Sequence, residues 1–278
     1  QREIYADYPY MNLPIFTAMF NNQNYAGSWL NIVWPFTLAM LTNSYSEKIK
    51  RFVLFFLCTL FTLATYTTYS RNAYLGYLIS ISSFSNLSPS SIIIIIILIS
   101  SILIVPLLVF SNLNPGIYNF LKLFIQPRFL NASNFFTYFL DSPRIDIWIK
   151  SIKYILIRPF WGWGAASFPI IYEFESRNNL DSQFYSHTHN IFLSLALNYG
   201  IIVSLIILIF LISIQIKALI KYREKLKPLK KIKKKSNFDK AWMISFLILF
   251  ISQLFDIQYY DGRISIAMWI LLAGLRRF

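Results

Sequence analysis

The sequence predicts an all-α protein that crosses a membrane several times, and three observations carry that prediction. Hydrophobic residues make up 56% of the 278 residues and charged residues only 14%, with a mean hydropathy of +0.51; soluble domains carry about 25% charged residues. Uncharged apolar runs long enough to cross about 30 Å of hydrocarbon recur along the chain. These runs are continuous, as in "SSIIIIIILISSILIVPLLVF", and lack the alternation of a barrel strand; in lipid only helices and closed barrels satisfy their own backbone groups.

Taken in order, the apolar segments predict about seven transmembrane helices in a single integral-membrane domain, near 25–43, 50–69, 72–86, 90–111, 190–216, 241–257 and 262–276. The third is short and suits a tilted or re-entrant helix. The chain starts with Gln and shows no signal peptide, so a trimmed chain with further helices upstream is expected. The single cysteine, Cys58, lies within an apolar run and makes neither an intrachain disulfide nor a metal-site spacing.

Charge sets the expected orientation. The net charge is +14, and residues 217–240 alone hold eleven Lys or Arg against two acids. That basic loop is expected on the cytoplasmic side, together with 44–50 and the C-terminus. Alternation then places Arg71, the stretch 112–189 and the turn Asp256–Arg263 on the other side. The basic loop reads as an orientation signal against anionic headgroups; nothing in it resembles a nucleic-acid-binding fold.

The extracytoplasmic loop 112–189 is too long for a connector and should carry structure of its own. "SPRIDIWIKSIKYILI" at 142–157 opens with a Ser-Pro helix start. Its Ile145, Trp148, Ile149, Ile152, Ile155 and Leu156 recur at helical spacing, which predicts an amphipathic helix lying on the membrane or on the bundle. "RPFWGWGAASF" then breaks the helix, and Gly162 and Gly164 permit close backbone approach. An interfacial aromatic belt is the plainer reading of that stretch.

Together these stretches resemble the O-antigen ligase and polymerase superfamily of bacterial membrane glycosyltransferases, which includes cyanobacterial proteins once named as inorganic-carbon transporters. The family signature is His-Asn, nine residues, Gly, two residues, Gly. Here it reads His189-Asn190, then Gly200, with Val203 in place of the last glycine and Asn198 where the family often has an acid. "SRNAYLG" at 70–76, the run from Arg144 to Phe168 and the Asn-rich "NNQNYAGSWLNIVWPFTLAML" at 21–41 resemble further family stretches. The resemblance implies transfer or polymerisation of a glycan from an undecaprenyl-diphosphate-linked donor to an acceptor hydroxyl, in O-antigen, lipopolysaccharide or polysaccharide synthesis. It places the protein in the bacterial inner membrane with the active site facing the periplasm. The partners implied are the lipid-linked glycan, a glycan or lipid acceptor and membrane lipids. Ligase and polymerase are not distinguished.

Within that frame Arg71 and Arg144 are expected to hold the diphosphate, since guanidinium is always charged and its fork fits phosphate oxygens. Snorkelling anchors are the plain alternative for both. His189, at a helix start beside Thr188 and Asn190, is expected to remain neutral and to act as general base, with Asn190 on the substrate. An interfacial cap is its plain alternative, and His187 has no counterpart in the signature. A metal site is not expected: "HTH" finds only Glu173, Glu175 and Asp181 nearby in sequence, and no cofactor is implied. Asp256 and Asp261 read as a solvated turn, with orientation of an acceptor as the alternative. A solute or bicarbonate-like anion transporter is the alternative function, and it requires charges or broken helices near the membrane midplane.

Overall fold

The computed structural model describes residues 17–20, 22–43, 48–85, 143–176, 185–226 and 237–276. These residues form nine α-helices and no strand: α1 Gln23–Asn43, α2 Lys48–Thr67, α3 Arg71–Phe84, α4 Pro143–Ile157, α5 Ser167–Ser176, α6 Ile191–Tyr199, α7 Ile201–Leu226, α8 Asn237–Ser252 and α9 Gly262–Leu275. The chain clusters into two compact units, 1–15 with 81–141 and 16–80 with 142–278. Only 81–85 of the first are described; the second holds the helix bundle and the loop helices.

The axis of the bundle is the antiparallel pair α1 and α8. Four contacts fix their register: Asn24 Nδ2 donates to Asp256 Oδ2 at 2.7 Å, the Ser28 and Ser252 hydroxyls lie 3.2 Å apart, Ser245 Oγ donates to the Ile32 carbonyl at 2.8 Å, and Asn237 Nδ2 donates to Thr42 Oγ1 at 2.8 Å. Small hydroxyl residues let two backbones approach where larger side chains would hold them apart. Around the pair, Ile32, Leu211, Phe246, Ile264, Met268 and Leu272 join α1, α7, α8 and α9 in one apolar core. α7 runs antiparallel to α8, with Gln215 Nε2 donating to the Met243 carbonyl at 3.1 Å. The turn after α8 therefore lies at the Gly200 end of α7, and the basic residues Lys217, Lys221 and Arg223 lie at the other end.

The expected spans correspond to helices only in part. Ile201–Glu224 is the single segment, among the described residues, long and apolar enough to cross a membrane. The segments expected near 72–86 and 262–276 form helices of 14 residues each, about 21 Å at 1.5 Å per residue and short of the hydrocarbon thickness. The span near 90–111 lies outside the described residues.

The span expected over 190–216 is not one helix. It breaks at Gly200, whose φ of +87° belongs to glycine, and whose missing Cβ leaves room for the Phe160 carbonyl. α6 folds back beside α7, so that Ser204 Oγ donates to the Phe192 carbonyl at 3.1 Å. Of the stretch expected as a basic loop at 217–240, residues 217–226 continue α7 and 237–240 open α8, while 227–236 lie outside the described residues.

The loop helix expected at 142–157 is α4, beginning at Pro143. Its buried stripe differs from the expected one. Ile147, Ser151, Tyr154 and Ile155 are buried, while Ile149, Ile152 and Leu156 are exposed. The buried stripe packs on Phe168 and Tyr172 of α5 and on Ala196 and Leu197 of α6. The glycine turn after α4 locks onto the end of α6: Trp163 N–H donates to the Leu197 carbonyl at 2.8 Å and Gly164 N–H to the Asn198 carbonyl at 3.0 Å. A Cβ on Gly162, at φ +66°, would meet those same carbonyls.

Candidate functional site

The site is built at the turn before α6. Asn190, in extended conformation, caps α6 by accepting the Leu193 N–H at 3.1 Å on its side-chain oxygen. Its amide nitrogen donates to the Leu254 carbonyl at 2.9 Å, and the Ile191 N–H reaches the Gln253 carbonyl at 2.9 Å. These two bonds staple the start of α6 to the end of α8. From the other side Trp148 of α4 donates its indole N–H to the Thr188 carbonyl at 3.0 Å. Thr188 is fully buried, with its hydroxyl on the Asn190 carbonyl at 2.9 Å.

Held between these anchors, His189 adopts φ +53°, a left-handed conformation uncommon outside glycine. That backbone turns its imidazole toward Asp256: Nδ1 and Oδ1 are 2.9 Å apart. Asp256 is 3% exposed. Its second oxygen accepts from Asn24, whose own carbonyl oxygen accepts from Ser70 Oγ at 2.8 Å, one residue before Arg71 at the start of α3. His187 lies against the same carboxylate. Its Nε2 is 3.6 Å from Asp256 Oδ1, too long for a hydrogen bond, and its ring centroid is 4.3 Å from that of His189.

The electrostatics identify which proton sits where. Burial, above all, lowers the pKa of His189; the neighbouring His187 and Arg144 lower it further, and Asp256 opposes them. Burial by itself would raise the Asp256 carboxyl, but its contacts with both imidazoles, the charge that His189 carries once protonated and the charge of Arg144 outweigh it and hold it well below the ordinary carboxylate range. An ion pair would raise the histidine while lowering the aspartate. Both fall here, which favours a neutral imidazole donating Nδ1–H to a carboxylate. A carboxylate can only accept, which fixes the tautomer and leaves the Nε2 lone pair available.

Arg144 lies on the first turn of α4, one turn from Trp148 and on the same face, and its charge acts on both His189 and Asp256. Arg71 is exposed on the first turn of α3, directly after Ser70, whose hydroxyl donates to the Asn24 carbonyl oxygen.

Glu173 is exposed, and the side chains of Glu175 and Asp181 lie outside the described ones; among the described residues the acid that faces "HTH" is another. It is Asp256, and the solvated-turn reading fails for it because α1, α6 and α8 close around it. That reading holds for Asp261, which caps α9 through the Arg263 N–H at 3.0 Å and pairs with the exposed Arg263 guanidinium. His187, without a counterpart in the signature, belongs to the cluster as well. One donor atom from each of His187, His189 and Asp256 falls within 4.8 Å of the others, a spacing that metal ligands also show.

A half-buried imidazole on a buried carboxylate, with an arginine charge acting on both, at one end of a long apolar helix, is an arrangement that can take up a proton beside an anion. Residues 52–208, more than half of the chain, match the family model described as O-antigen ligase. The chain therefore belongs to the O-antigen ligase family, membrane glycosyltransferases of the ligase and polymerase type. No curated protein and no solved structure matches it. The matched residues include Arg71, Arg144, His187, His189 and Asn190 but neither Asn24 nor Asp256.

Proposed function

We propose that this protein transfers a glycan from an undecaprenyl-diphosphate-linked donor to an acceptor hydroxyl at the periplasmic face of the inner membrane. The observation that carries the reading is the His189–Asp256 pair, 2.9 Å apart, in which Nδ1 serves the carboxylate and Nε2 is the basic atom, with the charge of Arg144 acting on both groups. The acceptor hydroxyl gives its proton to His189 Nε2 as its oxygen attacks the anomeric carbon of the donor sugar. The bond from that carbon to the phosphate oxygen breaks, and its electron pair leaves with the undecaprenyl diphosphate. Asp256 holds the imidazole in register and stabilises the imidazolium formed. The proton then passes to the departing diphosphate or to water.

Arg144 and Arg71 face the negative charge that grows on the leaving group, the task for which fixed guanidinium charges are suited. The start of α3 adds the positive end of its dipole beside Arg71. Asn190 is positioned by one bond at each end of its amide, and its second amide hydrogen is the one that would reach the substrate. The scheme routes no step through a metal, because the guanidinium charges take the place of a cation. A transporter reading finds little support, since the titratable groups gather at one end of α7 and the break at Gly200 lies at that end too.

The orientation rests on Lys217, Lys221 and Arg223 at the far end of α7. The test uses His189→Ala in cells carrying the full-length gene. Loss of transfer with accumulation of lipid-linked glycan is expected: short units for a polymerase, complete polymer for a ligase. An unchanged glycan profile from a normally expressed variant would remove the base and the reaction with it.

A further inference from the structure

α4 has two apolar faces, and among the described residues only one meets protein. Ile147, Tyr154 and Ile155 pack on α5 and α6, whereas Ile149, Ile152, Leu156 and Ile157 on the opposite side are exposed. The stripe continues into the turn after the helix, where Phe160 is 64% and Trp161 88% exposed. Ile170 and Phe174 of α5 are exposed as well. A surface of this size left in water would be a liability, and contiguous apolar patches mark a docking face.

Two observations say what covers it. The first is continuity with the surface that α7 shows to lipid. The Pro159 carbonyl accepts the Ile201 N–H at 2.8 Å, and Gly200 packs against the Phe160 carbonyl, so the aromatic turn is riveted to the first residue of α7. The next turns of α7 expose Ile202, Leu205, Ile206 and Ile209. The second is charge. Lys153 stands on the same helix and Arg158 directly after it, where its guanidinium stacks over the Trp163 ring at 4.3 Å, while Lys150 is paired with Asp146 at 2.9 Å. Aromatic rings flanked by cations, at the end of an apolar helix, are the composition of a headgroup boundary.

We propose that the outer stripe of α4 and the turn Pro159–Gly162 are immersed in the phospholipid leaflet on the side of the histidines, with Arg158 at the phosphates. The immersed turn is rigidly connected to the site: Trp163 is bonded to the end of α6, and Trp148 of the same α4 to Thr188. The depth of the patch therefore sets the depth of His189 relative to the headgroups. The proposal concerns placement in the bilayer and stands independently of the transfer reaction.

Nitroxide labels on Ile152→Cys, Leu156→Cys and Phe160→Cys, in a Cys58→Ser background, test it in phosphatidylglycerol–phosphatidylethanolamine nanodiscs. Collision with oxygen should exceed collision with a water-soluble nickel complex at all three positions, with Phe160 about 5–10 Å below the phosphates. Arg223→Cys, at the opposite end of α7, provides a reference carrying the same label. Nickel collisions exceeding oxygen collisions at the three positions would show the patch in water and overturn the proposal. Exclusion of both agents, with spin–spin broadening between labels, would show a second copy of the chain on the patch and overturn it equally. A cysteine variant that misfolds is replaced by quenching with brominated lipid, which should be stronger for the native chain than for Trp161→Phe.

Discussion

Asp256→Asn tests the site most sharply, because it alters charge and hydrogen bonding while leaving shape nearly unchanged. In the native protein both carboxylate oxygens accept, one from His189 Nδ1 at 2.9 Å and the other from Asn24 Nδ2 at 2.7 Å. An amide has one oxygen and one NH2, so one of the two donors loses its acceptor. If the NH2 faces His189, it donates to Nδ1, the proton moves to Nε2, and the base is lost. If it faces Asn24, that amide can turn over, since the Ser70 hydroxyl both donates and accepts. Even then the imidazolium formed in the reaction has lost its counter-charge in a buried setting. Removing the corresponding carboxylate from a Ser-His-Asp triad lowers turnover by about 10,000-fold, and loss of general-base catalysis costs about 100- to 10,000-fold. At 1.36 kcal/mol per tenfold, the barrier rises by about 3–5 kcal/mol. The assay is transfer from purified lipid-linked oligosaccharide by protein in nanodiscs, with donor binding measured separately. Transfer should collapse while donor binding persists. Asp261→Asn is the paired control: it sits five residues away, Asn caps a helix as well as Asp, and transfer should remain near the native rate. Native transfer by a well-folded Asp256→Asn protein would refute the pairing of His189 with this carboxylate.

The remaining predictions address other parts of the site. The competent base is the neutral imidazole and its pKa is lowered below the ordinary 6.5; as pH falls, kcat/KM should therefore hold through 6.5 and decline only below it, and an acidic limb above 6.5 would contradict that environment. Arg144→Lys keeps the charge but loses the fork, so it should retain part of the transfer that Arg144→Ala loses; equal loss in both would point to a packing role on α4 instead. Transfer should survive EDTA, and loss restored by one divalent ion would reassign His187, His189 and Asp256 as ligands. Gly200→Ala must accept a φ of +87° and a Cβ against the Phe160 carbonyl, so it should lower the thermal midpoint of the folded protein by more than the few degrees that about 1 kcal/mol produces; an unchanged midpoint would mean the α6–α7 joint repacks freely.

Much of the helical architecture is legible in the sequence because its signals are local. The ends of α1, α3, α4 and α9 fall within about two residues of their apolar runs, where Pro143 opens α4 and Asp261 caps α9. His189 and Asn190 stand out for the same reason, as polar residues at the start of an apolar stretch. The break at Gly200 was in the sequence as a glycine of the signature, but an apolar run averaged over twenty residues reads through one small residue. Which face of α4 meets protein was not in its spacing at all: isoleucines lie on both sides, and lipid and protein core both accept isoleucine. Asp256 was the least legible. It lies 67 residues from His189, in a stretch whose composition is that of an exposed turn. Only the antiparallel register of α1 against α8 brings Asn24 to one of its oxygens, and only the staple from Asn190 to Leu254 brings His189 to the other. Sequence alone determined the helices and the imidazole, since turns and caps are made by neighbours along the chain; the tertiary structure decided the carboxylate, since a buried charge exists only where distant segments close around it and satisfy its oxygens.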